Sequence, residues 1–526
     1  VLNCEAQDVK LDFKEILLIR FVRQKNLLLD TLCLIAGCCL PLAFAPLNLW
    51  FISPIAMAIL WFGWMDVSPK RALFRGLLFG LGLYGIGVSW VYVSIHRFGQ
   101  ASIPLALLIT FLFIVVLALC IALQGYILSI LFQNSKEVHG RSFIKLLLAF
   151  PAGWVIVEWL RGWLFTGFPW VYLGYSQTDS LLRGYFPIIG VYGVSFLVAF
   201  SASLLVILLR RSWGQTHNLF FCLVSLLFMW SGGWLCDQIQ WTRPQGNPIS
   251  VSIIQGNIPQ EEKWLPQNLS SILDQYLKLT ETHWQQDLII WPEAAVPSPL
   301  PYSQNFIDHL SKIVEQSNTN LLLGIPVQTA NGDFYNAAVL LNDQTGIYYK
   351  RHLVPFGEYL PFKRWIGGFM DFLHIPMSDF VEGLVDQKLL QLNHFSVAVY
   401  ICYEIAYAEL VRSDLPEAQL LITLTNDAWF GDSFAPFQHL QIGRVRSLET
   451  GRYGICSTNN GVTALIAPDG KLLKTLPQFK TGVLMGQVYA MRGVTPWVRM
   501  GTSVIIGIMF LLLFIAWIFQ EQNRKR

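Results

Sequence analysis

The chain has 526 residues, of which 54% are apolar and only 13% charged, with a net charge of +3. Soluble domains carry about 25% charged residues, so a wholly soluble protein is excluded, and so small a charge with no basic aromatic run excludes nucleic-acid binding. The 19 Trp and 36 Phe suit membrane cores and interfacial belts instead.

In chain order, apolar runs long enough to cross a bilayer, about 17–25 residues, fall at 27–46, 48–66, 72–95, 102–132, 143–165, 184–209, 217–236 and 498–519. The first two are separated only around Pro46 in FAPLNLW and read as a helical hairpin. No small-residue cleavage site follows the first run, so it is expected to remain as a span. Positive charge gathers before it (Lys14, Arg20, Arg23, Lys25), in SPKRALFR, in SKEVHGRSFIK, at Arg210 and Arg211, and in the terminal NRKR. These segments alternate with loops that hold few basic residues, which puts them on the cytoplasmic side. The expected division is a cytoplasmic flank over 1–26, seven transmembrane helices over 27–239, an extracytoplasmic domain over 240–495, and an eighth helix with a basic tail over 496–526.

The large insert reads as alternating strands and helices. Short apolar strands are PISVSIIQG, DLIIWPE, NLLLGIP, YNAAVLLN, GIYYK, HFSVAVYIC, AQLLITLTN, RYGICSTN, VTALIAP and TGVLMGQV, with helical patterns near 265–285, 302–316 and 436–450. That order predicts α/β packing. The nine cysteines include no CxxC or Cys/His metal spacing, so neither a metal site nor a disulfide framework is expected. A Cys402–Cys456 bridge stays open for an extracytoplasmic domain.

Three polar residues end apolar strands: Glu293 after DLIIWP, Lys350 in GIYYK and Cys402 in HFSVAVYIC. Open α/β sheets put their sites at such ends. Each alone has an ordinary reading, as a loop carboxylate, a solvated lysine and a core cysteine. Together a carboxylate can take a thiol proton, while an ammonium favours the thiolate and stabilises an oxyanion.

WPEAAVP, YKRHLVPFGEYLP, VYICYE and TNDAWFGDSFAPFQHLQIGRVRSLETGR resemble the nitrilase, or carbon–nitrogen hydrolase, superfamily with its Glu–Lys–Cys triad. With VEWLRGWLFTGFPWVYLGYSQ and the order of seven spans, insert and final span, the chain resembles the bacterial apolipoprotein N-acyltransferase family over nearly all residues after about 26. The resemblance implies a polytopic α-helical membrane protein carrying an extracytoplasmic nitrilase-like αββα sandwich. It implies Glu293 as general base, Lys350 as oxyanion stabiliser, Cys402 as nucleophile and Glu358 in PFGE as a supporting glutamate. Trp264, Tyr403 and Glu404 match positions that shape the substrate pocket.

The implied reaction is ping-pong acyl transfer in the bacterial inner membrane with the catalytic domain in the periplasm. An acyl chain passes from a phospholipid, through a thioester, to the α-amine of diacylglyceryl-cysteine in an apolipoprotein. No cofactor or metal is implied. The partners are the phospholipid donor, the diacylated acceptor and the bilayer. YLPFKRWIGGFMDFLHIPMSDF is expected to form an apolar lid beside the triad, with Trp365, Phe369 and Met370 meeting lipid and Gly367 and Gly368 as hinges.

Other polar residues take structural readings. Glu158 and Arg161 share a helix face as an ion pair or snorkel to the interface. Arg446 and Glu449 tie a helix to its domain, Asn426 and Asp427 form a turn or line the pocket, and His352, His394 and His439 are not ligands. The alternatives are a membrane-tethered nitrilase-type amidase, which would leave the membrane motifs idle, and a polytopic transporter or receptor with an extracytoplasmic binding domain, which would not need Cys402.

Overall fold

The computed structural model describes residues 13–132, 143–210, 216–360 and 379–525. Five of the described helices are long and apolar enough to cross a membrane: Gln24–Ala43, Ile103–Leu131, Leu181–Leu209, Leu219–Asp237 and Pro496–Gln522. A sixth crossing arises if Pro69–Gly87 and Val91–Phe98, bent by 59° at their break, form one span. The Ile103–Leu131 helix shows why such segments need lipid: Leu107, Leu108, Phe111, Leu112, Val116 and Leu123 are all exposed along it.

Two expected spans are shorter than drawn. The run at 48–66 yields the Ile52–Trp64 helix of 13 residues, about 20 Å at 1.5 Å per residue, against a hydrocarbon core of about 30 Å. The run at 143–165 stops as a helix at Arg161. Its last residues fold into a loop in which Phe165, Thr166 and Gly167 all have positive φ (54°, 77° and 87°).

Between the membrane helices lie two six-stranded sheets. In the first, β1 (Thr242–Gln255), β2 (Leu288–Ile290), β3 (Leu321–Gln328), β4 (Phe334–Leu341), β5 (Gly346–Tyr349) and β12 (Gly482–Gly493) run in the order β12-β1-β2-β3-β4-β5. In the second, β6 (Leu390–Leu392), β7 (Phe395–Ile401), β8 (Ala418–Thr425), β9 (Gly454–Thr458), β10 (Thr463–Ile466) and β11 (Leu472–Leu476) run in the order β11-β10-β9-β8-β7-β6. Alternate residues decide the layers. Val251, Ile253, Ile290, Leu322 and Leu340 of the first sheet meet Val397, Val399, Ile401, Leu420 and Ile422 of the second in one core. Ile289, Leu321 and Leu323, on the opposite face, pack with Ile272 and Tyr276 of the Leu269–Thr280 helix and with Leu310 and Val314 of the Gln304–Ser317 helix. The result is the αββα sandwich that the resemblance implies. Strand β6 is only three residues long and β11 only five, its first four exposed, so neither shows a pattern long enough to be read from sequence.

Antiparallel pairing of Thr242 in β1 with Gly493 in β12 brings the two ends of the insert side by side. The second sheet's outer face does not meet solvent. Ala398, Tyr400 and Leu421 join a core that continues through Ile442, Val445 and Leu448 into Trp170, Val191 and the membrane helices. The Ala435–Thr450 helix forms this seam, opening with Pro436 in its first turn and ending at Gly451 with φ 64°. It is polar in sequence, yet 14 of its 16 residues are buried, so each polar side chain needs a partner. Gln438 accepts from the indoles of Trp170 (2.7 Å) and Trp90 (3.2 Å) and donates to the Gly87 carbonyl (3.1 Å). Arg446 donates to the Tyr175 hydroxyl at 2.8 Å and pairs with Glu449, which accepts from the Val191 N–H at 2.7 Å. Arg446 and Glu449 therefore bind the membrane helices, where the sequence pointed only to their own domain.

Glu158 and Arg161 neither snorkel nor spend their polar atoms on each other. Both are buried. Glu158 accepts from the Trp154 indole (2.9 Å) and the Leu173 N–H (2.6 Å), while Arg161 donates to the carbonyls of Phe168 (2.8 Å) and Trp170 (2.6 Å). They hold the loop after Arg161 onto the end of its own helix.

Candidate active site

Glu293 lies three residues past β2, Lys350 directly follows β5 and Cys402 directly follows β7. Two sheets thus deliver their strand ends to one place. Gly324 of β3 makes room for the first: a Cβ there would stand 2.6 Å from the Glu293 Cα and the Ala294 N. Cys402 takes φ 54°, a left-handed conformation costing a non-glycine residue about 1–3 kcal/mol. The strand turns sharply there into the Cys402–Ala406 turn, which lifts the thiol off the strand face.

The carboxylates and the ammonium form one hydrogen-bonded cluster. The Lys350 ammonium stands 2.8 Å from Glu358 and 3.9 Å from Glu293. The Asn336 amide bridges both acids, donating to Glu293 Oε1 (2.7 Å) and Glu358 Oε1 (2.8 Å). Glu293 Oε2 accepts from the Asn426 N–H (2.8 Å), and Glu358 Oε2 from the Val354 N–H (2.8 Å). Behind Glu293, the buried Lys263 ammonium donates to that residue's carbonyl at 3.0 Å.

Burial sets the protonation states. It lifts the Glu293 carboxyl above its ordinary value, with Lys350 opposing. It pushes the Cys402 thiol well up; the charge of Glu293 adds to this and Lys350 opposes. For Lys350 burial works downward, and the charges of Glu358 and Glu293 overcome it to hold the ammonium above its ordinary range. The thiol is thus protonated at rest, contrary to the sequence-based idea that the lysine alone would favour a thiolate. A proton acceptor has to act with it, and of the two carboxylates whose charge reaches the thiol, Glu293 and Asp427, Glu293 acts more strongly.

Glu404 is the wrong carboxylate for that task. It is wholly buried and accepts from the N–H groups of Ile401 (2.6 Å), Arg351 (2.6 Å) and His352 (3.1 Å) and from the Tyr348 hydroxyl (2.9 Å). These bonds anchor the nucleophile turn to the end of β5. Tyr403 stacks on Trp170 at 6.1 Å and donates to the Gly167 carbonyl at 3.1 Å. Trp264 is half-exposed on the turn that carries Lys263. The expected lid residues Trp365, Phe369 and Met370, with Gly367 and Gly368, lie outside the described residues.

Cys402 and Cys456 are both free thiols. Through β8, Cys456 of β9 sits level with Thr423 and so with Tyr400 of β7, two strands away, about 9–10 Å, too far for the 4.4–6.8 Å Cα spacing of a disulfide. Asn426 positions Glu293 through its N–H. Asp427 accepts from Thr425 (3.0 Å) and lies 3.1 Å from His439 Nδ1, whose Nε2 lies 3.1 Å from the Cys402 carbonyl. Among the described residues no group of three His, Cys, Asp or Glu side chains is arranged to hold a metal ion. Sequence reasoning missed Asn336 and Lys263. An amide just inside the start of the apolar strand YNAAVLLN was the available signal for the first. Lys263, beside Glu261 and Glu262, looks like an ordinary solvated charge.

Comparison with known proteins matches two families along the chain. Residues 36–204 match the family described as Apolipoprotein N-acyltransferase N-terminal domain, and residues 250–494 match the family Carbon-nitrogen hydrolase. A protein of Coxiella burnetii named apolipoprotein N-acyltransferase is 42% identical over 93% of this chain and 100% of its own length. Proteins of the same name from Methylococcus capsulatus (41% identity, 94% of this chain, 96% of theirs) and Pseudomonas aeruginosa (39%, 92% and 94%) are similar. Among solved structures, an amidase of the nitrilase superfamily from Nesterenkonia covers 50% of this chain and 97% of its own at 19% identity and a TM-score of 0.36.

Proposed function

The chain belongs to the apolipoprotein N-acyltransferase family, and from that premise we propose how its residues carry out N-acylation of lipoproteins. The acyl donor is a phospholipid, and the acceptor is the N-terminal amine of a diacylglyceryl-cysteine. Glu293 takes the Cys402 proton as the sulfur attacks the ester carbonyl, and the oxyanion that forms faces Lys350. The ester C–O bond breaks, Glu293 returns the proton to the departing lysophospholipid oxygen, and a thioester remains. The neutral α-amine then attacks the thioester carbonyl and gives its proton to Glu293. The C–S bond breaks, an amide leaves, and the proton returns to the thiolate.

The observation that carries this reading is the Glu293–Lys350–Glu358 cluster, since an acyl transfer needs one proton acceptor and one fixed cation together. Glu358 holds one Lys350 proton, leaving the others for the oxyanion. Tyr403 and its loop contacts from the membrane helices support a donor drawn from the bilayer, which a tethered amidase would not need. The basic loops support an inner-membrane protein with this domain in the periplasm. Purified protein incubated with phospholipid is expected to gain an acyl mass that Cys402→Ala abolishes, and the wild-type adduct should discharge onto a diacylated lipopeptide. An adduct that persists in Cys402→Ala would overturn the assignment.

A further inference from the structure

The Gln260–Lys263 turn makes three polar contacts, two with the site and one with a membrane helix. Gln260 Oε1 accepts from the Asn426 side chain at 2.7 Å, and Asn426 is the residue whose N–H holds Glu293 Oε2. Glu261 pairs with Arg97 at 2.8 Å, at the end of the broken membrane span. Lys263, 1% exposed, sends its ammonium to the Glu293 carbonyl at 3.0 Å. Lys350 already serves the oxyanion, so a second buried ammonium at this spot has no place in the reaction just described. A lysine held only for packing would not keep a charge in so dry a position.

We propose that Lys263 is the positioning residue of the base: its ammonium fixes the Glu293 segment and keeps the carboxylate charged so that it can take the Cys402 proton. The proposal rests on the acyl-transfer reading of the same site. With both lysines and both of Glu293 and Glu358 charged, the four groups sum to zero. Moving the proton from Cys402 to Glu293 leaves that sum, thiolate included, at zero. Without Lys263 the same step runs in a cluster one unit more negative, which disfavours both the carboxylate and the thiolate. The charged or titratable groups facing Glu293 are Lys350, Glu358, Cys402 and Lys263 itself. Glu261 and Glu262 flank Lys263 on its own turn, and Arg97 neutralises the first across the interface. Burial lowers the Lys263 ammonium to about 8, with Glu293 opposing, so it stays charged at neutral pH.

The test is the pH dependence of acyl-adduct formation, read by intact mass in the full-length protein with phosphatidylethanolamine vesicles. Lys263→Gln keeps a donor for the Glu293 carbonyl but removes the charge, Lys263→Met removes both, and Lys263→Arg keeps both. The acid limb is expected to move up by about one pH unit, a tenfold change in ionised base, in Lys263→Gln and Lys263→Met, and to stay in place in Lys263→Arg. Lys263→Gln serves alone if Lys263→Met does not fold. A neutral variant with lower rate but an unmoved limb would assign Lys263 to structure and overturn the proposal, leaving the acyl-transfer reading intact. A wild-type protein that forms no adduct would instead remove that reading.

Discussion

The Tyr403 hydroxyl donates to the Gly167 carbonyl at 3.1 Å, tying the residue after the nucleophile to a membrane loop 236 positions earlier. Tyr407 adds bonds to the carbonyls of Thr166 (3.1 Å) and Gly167 (3.2 Å). The catalytic turn and the membrane loop are therefore one mechanical unit.

Removing both hydroxyls should uncouple them. In Tyr403→Phe/Tyr407→Phe two carbonyls lose their donors, at about 1 kcal/mol each. Acyl transfer in proteoliposomes is expected to fall roughly tenfold, with the expressed protein still folded by circular dichroism. Wild-type turnover in the double variant would show that the loop is a passive neighbour.

Glu293 and Glu404 should part company when each is made an amide. Glu293→Gln removes the proton acceptor and leaves the packing, so adduct formation is lost with little change in thermal stability. Glu404→Gln turns one acceptor oxygen into a donor facing N–H groups, at about 1–3 kcal/mol for each group left unpaired. Its melting temperature in detergent should drop by several degrees. A stable Glu404→Gln protein would refute the anchoring role.

Glu358→Gln leaves Lys350 buried with one carboxylate fewer. An ammonium so deprived is held less firmly and loses its proton at lower pH. Transfer is expected to fall at least tenfold, and the alkaline limb of the pH–rate profile should move down. A profile that keeps its alkaline limb would separate Glu358 from Lys350.

In the wild-type protein, the acid limb of adduct formation should have its midpoint above 4.5, the ordinary carboxyl value, because burial raises Glu293. The sign follows from the role: below that midpoint Glu293 is protonated and cannot accept the Cys402 proton, so the rate falls as pH falls. A midpoint at or below 4.5 would contradict the assignment of Glu293 as base.

The seam helix makes a stability prediction. Glu449 and Arg446 are completely buried as a pair, so Glu449→Ala strands a guanidinium, at about 3–5 kcal/mol. It also frees the Val191 N–H. Thermal unfolding in micelles is expected well below wild type, and an unchanged midpoint would mean that the helix is held by apolar contacts alone.

The sequence by itself determined where the apolar helices lie, though not that the runs at 48–66 and 143–165 stop short, together with the α/β character of the insert and the strand ends that carry Glu293, Lys350 and Cys402. These are local properties: the period of hydrophobic residues decides which face is buried, and a polar residue after an apolar strand stands at a sheet's edge. Only the tertiary structure shows how differently the two glutamates are placed. Glu404 is two residues from Cys402 yet turned onto backbone donors, while Glu293, 109 residues away by numbering, is coupled to the thiol through β-strand ends from two different sheets. It also sets the direction in which the site's groups shift, since burial raises Cys402 against the pull of Lys350, and no residue pattern records how much water a site excludes. The same holds for Lys263 and for the polar Ala435–Thr450 helix. Both read as solvated surface until packing closes over them, because desolvation depends on neighbours that are distant in the chain.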